Sequence, residues 1–340
     1  MNQGEIRNLN KVNVTVARLG KAVVEQWERP APGEHQILIR TEYAVISTGT
    51  ETKSLRSKSN GIRLGYNAVG IIVEKGAGVE HLEIGQRVAC YGEGSHADYS
   101  LVSKFLAAPV PDGVDPEEAA FAGLGAIAIH ALHQAEMQFG ETAVLVGLGI
   151  LGQIAARIAN AAAYRVIGFD IQPMRCNMLE PLAPNAIACN RVEEVTSAVR
   201  NTECAGADSV MLFGGGKDDG LIDQGIEWLR DRGKIVIVGI PDTTFARNAL
   251  FVKEAQIRIC RAGGPGRYDA KYEQAGFDYP DGYVRWTEGR NVGKFIRLLS
   301  EKRMSLKPLI RHRFDFAEID RAYQLCLDAP AETMGVLIRY

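Results

Sequence analysis

Short apolar runs and turn residues alternate through the first hundred positions. Val12–Val16, Val23–Trp27, Ile37–Arg40 and Ala44–Ser47 are β-rich, broken by Pro30, Pro32 and Gly33. Ala68–Glu74, Arg87–Cys90, Ala97–Val102 and Phe105–Pro109 continue the pattern. Runs this short, separated by Gly and Pro, predict an all-β unit of barrel type. The texture changes at Asp115-Pro116-Glu117-Glu118. Asp115 can cap a helix there, Pro116 suits its first position and Glu118 completes a capping box. An alanine-rich helical stretch runs on to about Gly140. Strand and helix patterns then alternate: Ala143–Val146, Gly149–Ala163, Arg165–Phe169, Met174–Glu180, Ser209–Phe213, Gly220–Arg230, Lys234–Val238. Such alternation builds a parallel sheet covered on both faces. After Ile259 the rhythm breaks. Helices are expected over Thr287–Glu301 and Phe316–Leu327, and a last strand over Val336–Tyr340. The fold class is therefore α/β, a β-barrel unit plus a doubly wound parallel sheet.

The sharpest motif is Gly147-Leu148-Gly149-Ile150-Leu151-Gly152, which follows an apolar strand and opens a helical pattern. In that setting GxGxxG reads as a dinucleotide site. Gly147 permits the tight turn, Gly149 lets the backbone approach a pyrophosphate, and Gly152 allows close helix–strand packing. The pyrophosphate then meets the free N–H groups of the helix start, at Ile150, Leu151 and Gly152. The next strand ends at Asp170, where a carboxylate accepts from ribose hydroxyls and repels a 2′-phosphate, favouring NAD over NADP. Arg175 stands against this, because a nearby Arg accepts that phosphate. Gly239 and Ile240, after Lys234–Val238, are expected to line the cofactor pocket.

Charge and composition mostly exclude. The 340 residues carry 39 Lys+Arg against 41 Asp+Glu, so no basic footprint marks a nucleic-acid or membrane partner. No apolar stretch has the length of a membrane span, and the first twenty residues lack the apolar core of a secretory signal. Six scattered cysteines without a CxxC fit reduced thiols in the cytoplasm. His130 and His133 share a helix face but have no third ligand in view, and read as packed residues; His96 and His312 read as surface residues.

A β-rich unit, a dinucleotide unit after it, and a tail returning to the first unit follow a known order. The chain resembles the medium-chain dehydrogenase/reductase superfamily, whose type member is zinc alcohol dehydrogenase. Ile46-Ser47-Thr48-Gly49-Thr50-Glu51 is similar to the branch containing bacteriochlorophyllide dehydrogenase and the bi-domain oxidoreductases. Gly264–Asp269 and Gly282–Glu288 look most like the bi-domain group, whose second oxidoreductase module is expected to be missing after Tyr340. The resemblance implies a GroES-like catalytic domain (residues 1–120 and 301–340), a Rossmann domain (121–300), substrate held in the cleft between them, and a homodimer or homotetramer. The zinc members bind metal through a Cys-Gly-(Ser/Thr)-Asp segment, a Gly-His-Glu segment and a further Cys. The matching residues here are Thr48, Tyr66 and Leu124, which offer no thiolate, imidazole or carboxylate. No zinc is therefore expected, and the four-cysteine structural lobe is absent too.

Without metal, hydrogen-bond donors must stabilise an oxyanion. By the family match Tyr66 is the candidate donor and proton relay, with Thr48, Thr50 and Asn67 orienting substrate and Glu51 a candidate base. The aromatic segment 264–291 reads either as a substrate cover or as a packed loop or subunit contact. Arg267 and Tyr268 are its candidate substrate contacts, with Arg pairing to hydroxyls or a carboxylate. The expected activity is zinc-independent, NAD-dependent oxidation of a secondary alcohol of a sugar, cyclitol or related polyol. The alternatives are an NADPH-dependent reductase of an activated C=C bond or quinone, and a dinucleotide-binding sensor or scaffold without turnover.

Overall fold

The computed structural model describes residues 10–57, 60–182, 185–215 and 220–340. The expectation about the chain's start falls partly on residues 1–9, outside the described residues. The chain forms two compact units. One holds the residues up to Leu124, Pro265–Glu301 and Ile310–Tyr340; the other holds Gly125–Gly264 and Lys302–Leu309.

The first unit is built on a seven-stranded sheet. Its centre is the long strand Gln36–Val45, bent by register shifts at Leu38/Ile39 and Thr41/Tyr43. The bends let one strand serve two neighbours on one edge. Residues 36–40 pair with Tyr99–Ser103, and residues 43–45 pair with the C-terminal strand Val336–Arg339. Asn67–Lys75, Arg87–Tyr91 and Ala107–Pro109 continue the other side, all antiparallel. A hairpin of Lys11–Arg18 and Lys21–Glu28 joins through bridges at Val14–Ala97 and Val16–Arg63. Ile37, Ile39, Ile72, Val88 and Leu106 form the core with Tyr272.

Tyr272 corrects the expected domain boundary. Residues 265–301 belong to this unit, not to the parallel-sheet unit. The reason is aromatic packing: Tyr272 stacks on Phe105 with ring centroids 4.9 Å apart, and its hydroxyl donates to Thr287 Oγ1 at 3.0 Å. The helix Glu288–Ser300 follows, capped by Thr287. Its Gly289 lies so close to Phe105 that a Cβ would meet the Phe105 carbonyl oxygen at 1.8 Å.

The second unit has six parallel strands in the order Ala186–Cys189, Arg165–Phe169, Thr142–Val146, Ala207–Leu212, Leu229–Ile237, Gln256–Ile259. The order reverses at Thr142–Val146, whose five residues are all buried. Helices Ile150–Ala161, Val192–Arg200 and Leu221–Trp228 cover the sheet, and Trp228 packs edge-on against Phe169 at 5.8 Å. The expected long helix after Asp115 is two helices, Pro116–Ala119 and Ala122–Ala135. Asp115 does cap the first, accepting from Glu117 N at 3.0 Å. All six cysteines are free thiols, and only Cys204 is exposed.

Candidate functional site

In the parallel-sheet unit, glycines crowd the carboxyl ends of the strands at the point where the order reverses. Ligands of open α/β sheets bind at such a point. Gly147 has φ +92° and its N–H donates to Phe169 O at 2.8 Å. A Cβ there would meet Gly214 N at 2.6 Å, and one on Gly152 would meet Gly147 O at 2.0 Å. Gly239 is packed the same way, 2.5 Å from Gly214 O by its Cβ direction. Gly149 differs. It precedes the helix Ile150–Ala161, and a Cβ on it would meet nothing within 4 Å. Protein packing therefore does not demand glycine at 149, whereas a pyrophosphate approaching the helix start does. Ile150, Leu151 and Gly152 present their first-turn N–H groups there. Ile240 is exposed just beyond Gly239.

Asp170 follows the strand Arg165–Phe169 and is buried. Its Oδ2 accepts from Leu148 N at 2.8 Å, and its Oδ1 accepts from Gln172 N at 2.9 Å. Arg175 Nη1 lies 3.4 Å from Oδ2. Oδ1 keeps a second lone pair, so an acceptor remains for a ribose hydroxyl. Gln153 fixes this corner from behind: its Nε2 donates to Arg175 O at 2.7 Å, while Arg157 Nη1 donates to its Oε1 at 2.8 Å. Sequence reasoning missed that support and the glycines 214 and 215. The residues present fit a dinucleotide. His130 and His133 are held neutral, their pKa values pushed down to about 4 mainly by burial. Among the described residues no cluster of three His, Cys, Asp or Glu is arranged to hold a metal.

In the β-rich unit, the second group of candidates meets around one hydroxyl. Tyr66 donates to Ser47 Oγ at 2.5 Å, and Thr50 and Asn67 face the same oxygen. Burial pushes the Tyr66 pKa up to about 12, so the phenol is protonated throughout the neutral range. Asn67 is fully buried, with neither Nδ2 nor Oδ1 in a well-formed hydrogen bond. A buried amide short of partners costs on the order of 1–3 kcal/mol, a cost that a substrate hydroxyl can relieve. Gly123 makes room for it, since a Cβ there would lie 2.2 Å from Asn67 Oδ1. Thr48, the first residue of the helix Thr48–Arg56, stands outside these bonds.

Glu51 is placed differently from a base. Its Oε1 accepts from Ser47 N at 2.7 Å, its Oε2 accepts from Gly65 N at 3.0 Å, and the Tyr323 hydroxyl donates to Oε2 as well. His96, expected at the surface, is fully buried with Nε2 3.2 Å from Glu51 Oε2. Gly65 rests on that imidazole, where a Cβ would meet ring atoms at 2.7 Å. His312 is half-buried.

Arg267 and Tyr268 join the same unit through a stack. The Tyr66 and Tyr91 ring centroids are 5.6 Å apart, and the Arg267 guanidinium lies 5.4 Å from the Tyr91 ring and 4.6 Å from the Tyr268 ring. Arg267 is already bonded to Glu273 at 3.0 Å and Glu93 at 3.2 Å, so it does not stand ready for a substrate carboxylate as expected. Tyr268 is exposed and has φ +66°, unusual for a residue with a side chain.

The zinc donor set does not fit. A phenol held protonated, a threonine and the buried Leu124 supply no ligand for zinc. Residues 33–139 nevertheless match the family model of the alcohol dehydrogenase GroES-like domain. The sorbitol dehydrogenase of Halalkalibacterium halodurans is 25% identical over 89% of this chain and 92% of its own. The chain thus carries an alcohol dehydrogenase GroES-like domain and is similar over most of its length to a sorbitol dehydrogenase, in agreement with the resemblance to the medium-chain dehydrogenase/reductase superfamily. The galactitol-1-phosphate dehydrogenase of Escherichia coli shares this fold, with TM-score 0.78 at 17% identity, covering 96% of this chain and all of the other. An alcohol dehydrogenase from Escherichia coli CFT073, complexed with NADH, shares it at TM-score 0.79 and 16% identity, over 97% of this chain and 100% of its own.

Proposed function

We propose that this chain is a zinc-independent, NAD-preferring dehydrogenase acting on a secondary alcohol of a sugar, cyclitol or related polyol. The observation that carries the reading is the Tyr66 hydroxyl, kept protonated among Ser47, Thr50 and Asn67. The nicotinamide, when bound, supplies or takes the hydride. The glycine corner and the helix start at Ile150–Gly152 hold the pyrophosphate, and Asp170 holds the ribose hydroxyls. Gly239 and Ile240 line the same carboxyl-end face. Tyr66 donates its hydrogen bond to the reacting oxygen and stabilises charge there without a Lewis acid. Asn67 and Thr50 take neighbouring hydroxyls, which suits a polyhydroxylated substrate. The sorbitol dehydrogenase relative supports the polyol class. The assembly we expect is a cytoplasmic homodimer or homotetramer working on small molecules. Arg175, 3.4 Å from Asp170, favours a second reading as an NADPH-dependent reductase of an activated C=C bond or quinone.

The test is turnover of sorbitol, galactitol and myo-inositol with NAD and NADP, with metal content measured on the same sample. The proposal expects NAD-linked oxidation of at least one polyol by protein holding far less than one zinc per chain. Stoichiometric zinc would falsify the metal-free mechanism. Inert polyols with rapid NADPH-linked reduction of enones or quinones would select the second reading.

A further inference from the structure

Ser47 occupies the N-cap of the helix Thr48–Arg56, yet its side chain makes no cap bond. An N-cap serine ordinarily turns its oxygen onto the second or third N–H of the helix. Here the hydroxyl is turned away and meets the Tyr66 hydroxyl at 2.5 Å. The serine backbone is fixed from the other side, because Ser47 N donates to Glu51 Oε1 at 2.7 Å. The second oxygen of the same carboxylate receives Gly65 N at 3.0 Å, one residue before Tyr66. Glu51 therefore ties together the two segments whose side chains meet. Tyr323 holds Glu51 in turn, and the carboxylate is only 3% exposed. Two backbone carbonyl bonds complete the seat, with Gly94 N and Gly92 N donating to Gly65 O and Tyr66 O.

We propose that Ser47 and Glu51 are positioning residues for Tyr66. Ser47 aims the phenol through its hydroxyl, and Glu51 holds the two backbone segments that carry the pair. The proposal rests on the reading of Tyr66 as the donor to the reacting oxygen. A phenol has one proton, and its direction is set by rotation about the C–O bond. With Ser47 accepting, that proton points into the protein. When a substrate oxygen arrives, the serine hydroxyl turns to donate to the Tyr66 oxygen, and the tyrosine proton turns to the substrate. No covalent bond changes in this exchange, and both hydroxyls remain satisfied. A serine engaged as an ordinary cap would have its hydroxyl turned onto the helix start and away from Tyr66. Glu51 has no free oxygen facing substrate in this arrangement and is a tie, not a base.

The test uses the full-length protein with sorbitol, or another polyol that it turns over, under saturating NAD. Ser47→Ala is expected to lower kcat about tenfold with KM within twofold, since a single neutral hydrogen bond is removed. Its melting temperature stays near that of the parent, because no cap bond is lost. Ser47→Thr recovers at least half of kcat. In Glu51→Gln, one acceptor oxygen replaces two, so the amide of Ser47 or Gly65 is expected to exchange with solvent at least about tenfold faster. Parental kcat in Ser47→Ala, with Tyr66→Phe inactive, overturns the role of Ser47 and leaves the Tyr66 reading intact. Parental kcat in Tyr66→Phe overturns the reading itself and the role of Ser47 with it. Unchanged exchange at both amides in Glu51→Gln overturns the role of Glu51 whatever the activity.

Discussion

The glycine corner of the parallel-sheet unit and the Tyr66 corner of the β-rich unit are built by opposite means. The first is made of backbone. Gly147, Gly152 and Gly239 are close-packed because side chains are missing, and the groups offered to a ligand are N–H groups of a helix start. The second is made of side chains from separate parts of the chain: Ser47, Glu51, Tyr66, His96 and Tyr323. A backbone site tolerates almost no added atom but is indifferent to polar chemistry. In a side-chain site each hydroxyl has a separate task.

Substitutions can test that contrast, beginning with the most damaging. Gly152→Ala places a methyl 2.0 Å from a carbonyl oxygen, so strand or helix must move. The expected result is a rise of at least about 100-fold in the NADH dissociation constant, together with a lower melting temperature. Fluorescence titration and thermal melts read both. Tyr66→Phe removes one oxygen and little volume. It should lower kcat about 100-fold, the scale of a lost acid–base group, while NADH affinity and melting temperature stay at the parental level. If Tyr66→Phe instead unfolded the protein, the Tyr66 corner would be as structural as the glycine corner, and the contrast would fail.

Asp170→Ser sits between the two kinds of site, because it is a side chain serving a backbone corner. It loses a carboxylate that bonds Leu148 N and faces Arg175. The ratio of NADPH to NADH dissociation constants should fall about tenfold, because the carboxylate that repels a 2′-phosphate beside Arg175 is gone. An unchanged ratio would show that Asp170 serves the loop and not the choice of cofactor.

The last effect concerns pH. His130 and His133 titrate near 4 in the fold because of burial, and near 6.5 in an unfolded chain. As pH falls, the unfolded chain takes up protons first. Their contribution to stability is therefore complete above about pH 6.5 and is lost progressively down to about pH 4. Melting temperatures between pH 7.5 and 4.5 should show this slope, and His133→Gln should flatten it.

The same contrast explains what could be read from sequence. Gly147, Gly149 and Gly152 fall within six residues, and Asp170 ends the next strand, so local pattern carried that site. The strands Arg165–Phe169 and Thr142–Val146 were legible because continuous apolar runs are what a buried parallel sheet requires. The helix Thr48–Arg56 left no such trace. Of its buried residues, Glu51, Thr52 and Leu55, two are polar, so hydrophobic periodicity has almost nothing to report. Ala186–Cys189 and Gln256–Ile259 were missed because they are four-residue edge strands, half exposed. His96 looked like a surface residue because its neighbours Gly94 and Ser95 spell a turn. Its burial depends on Gly65 and Tyr323, which lie far from it in sequence. Residues 265–300 read as part of the parallel-sheet domain because they follow its last strand. Only the partner of Tyr272, Phe105, shows where they belong.

The path of the chain through its two units also sets an order of assembly. Every strand of the parallel sheet lies between Thr142 and Ile259, without interruption by the other unit. That sheet has all its strands as soon as this stretch has left the ribosome. The bent strand Gln36–Val45 is made much earlier, yet one of its partners, Val336–Arg339, is made only after the whole parallel sheet. The β-rich unit must wait with an open edge for that strand, and non-local pairings of this kind form slowly. Premature termination would leave the dinucleotide-binding sheet able to close and the Tyr66 unit unable to. Truncated chains should therefore retain nucleotide affinity and expose a strand edge prone to aggregation.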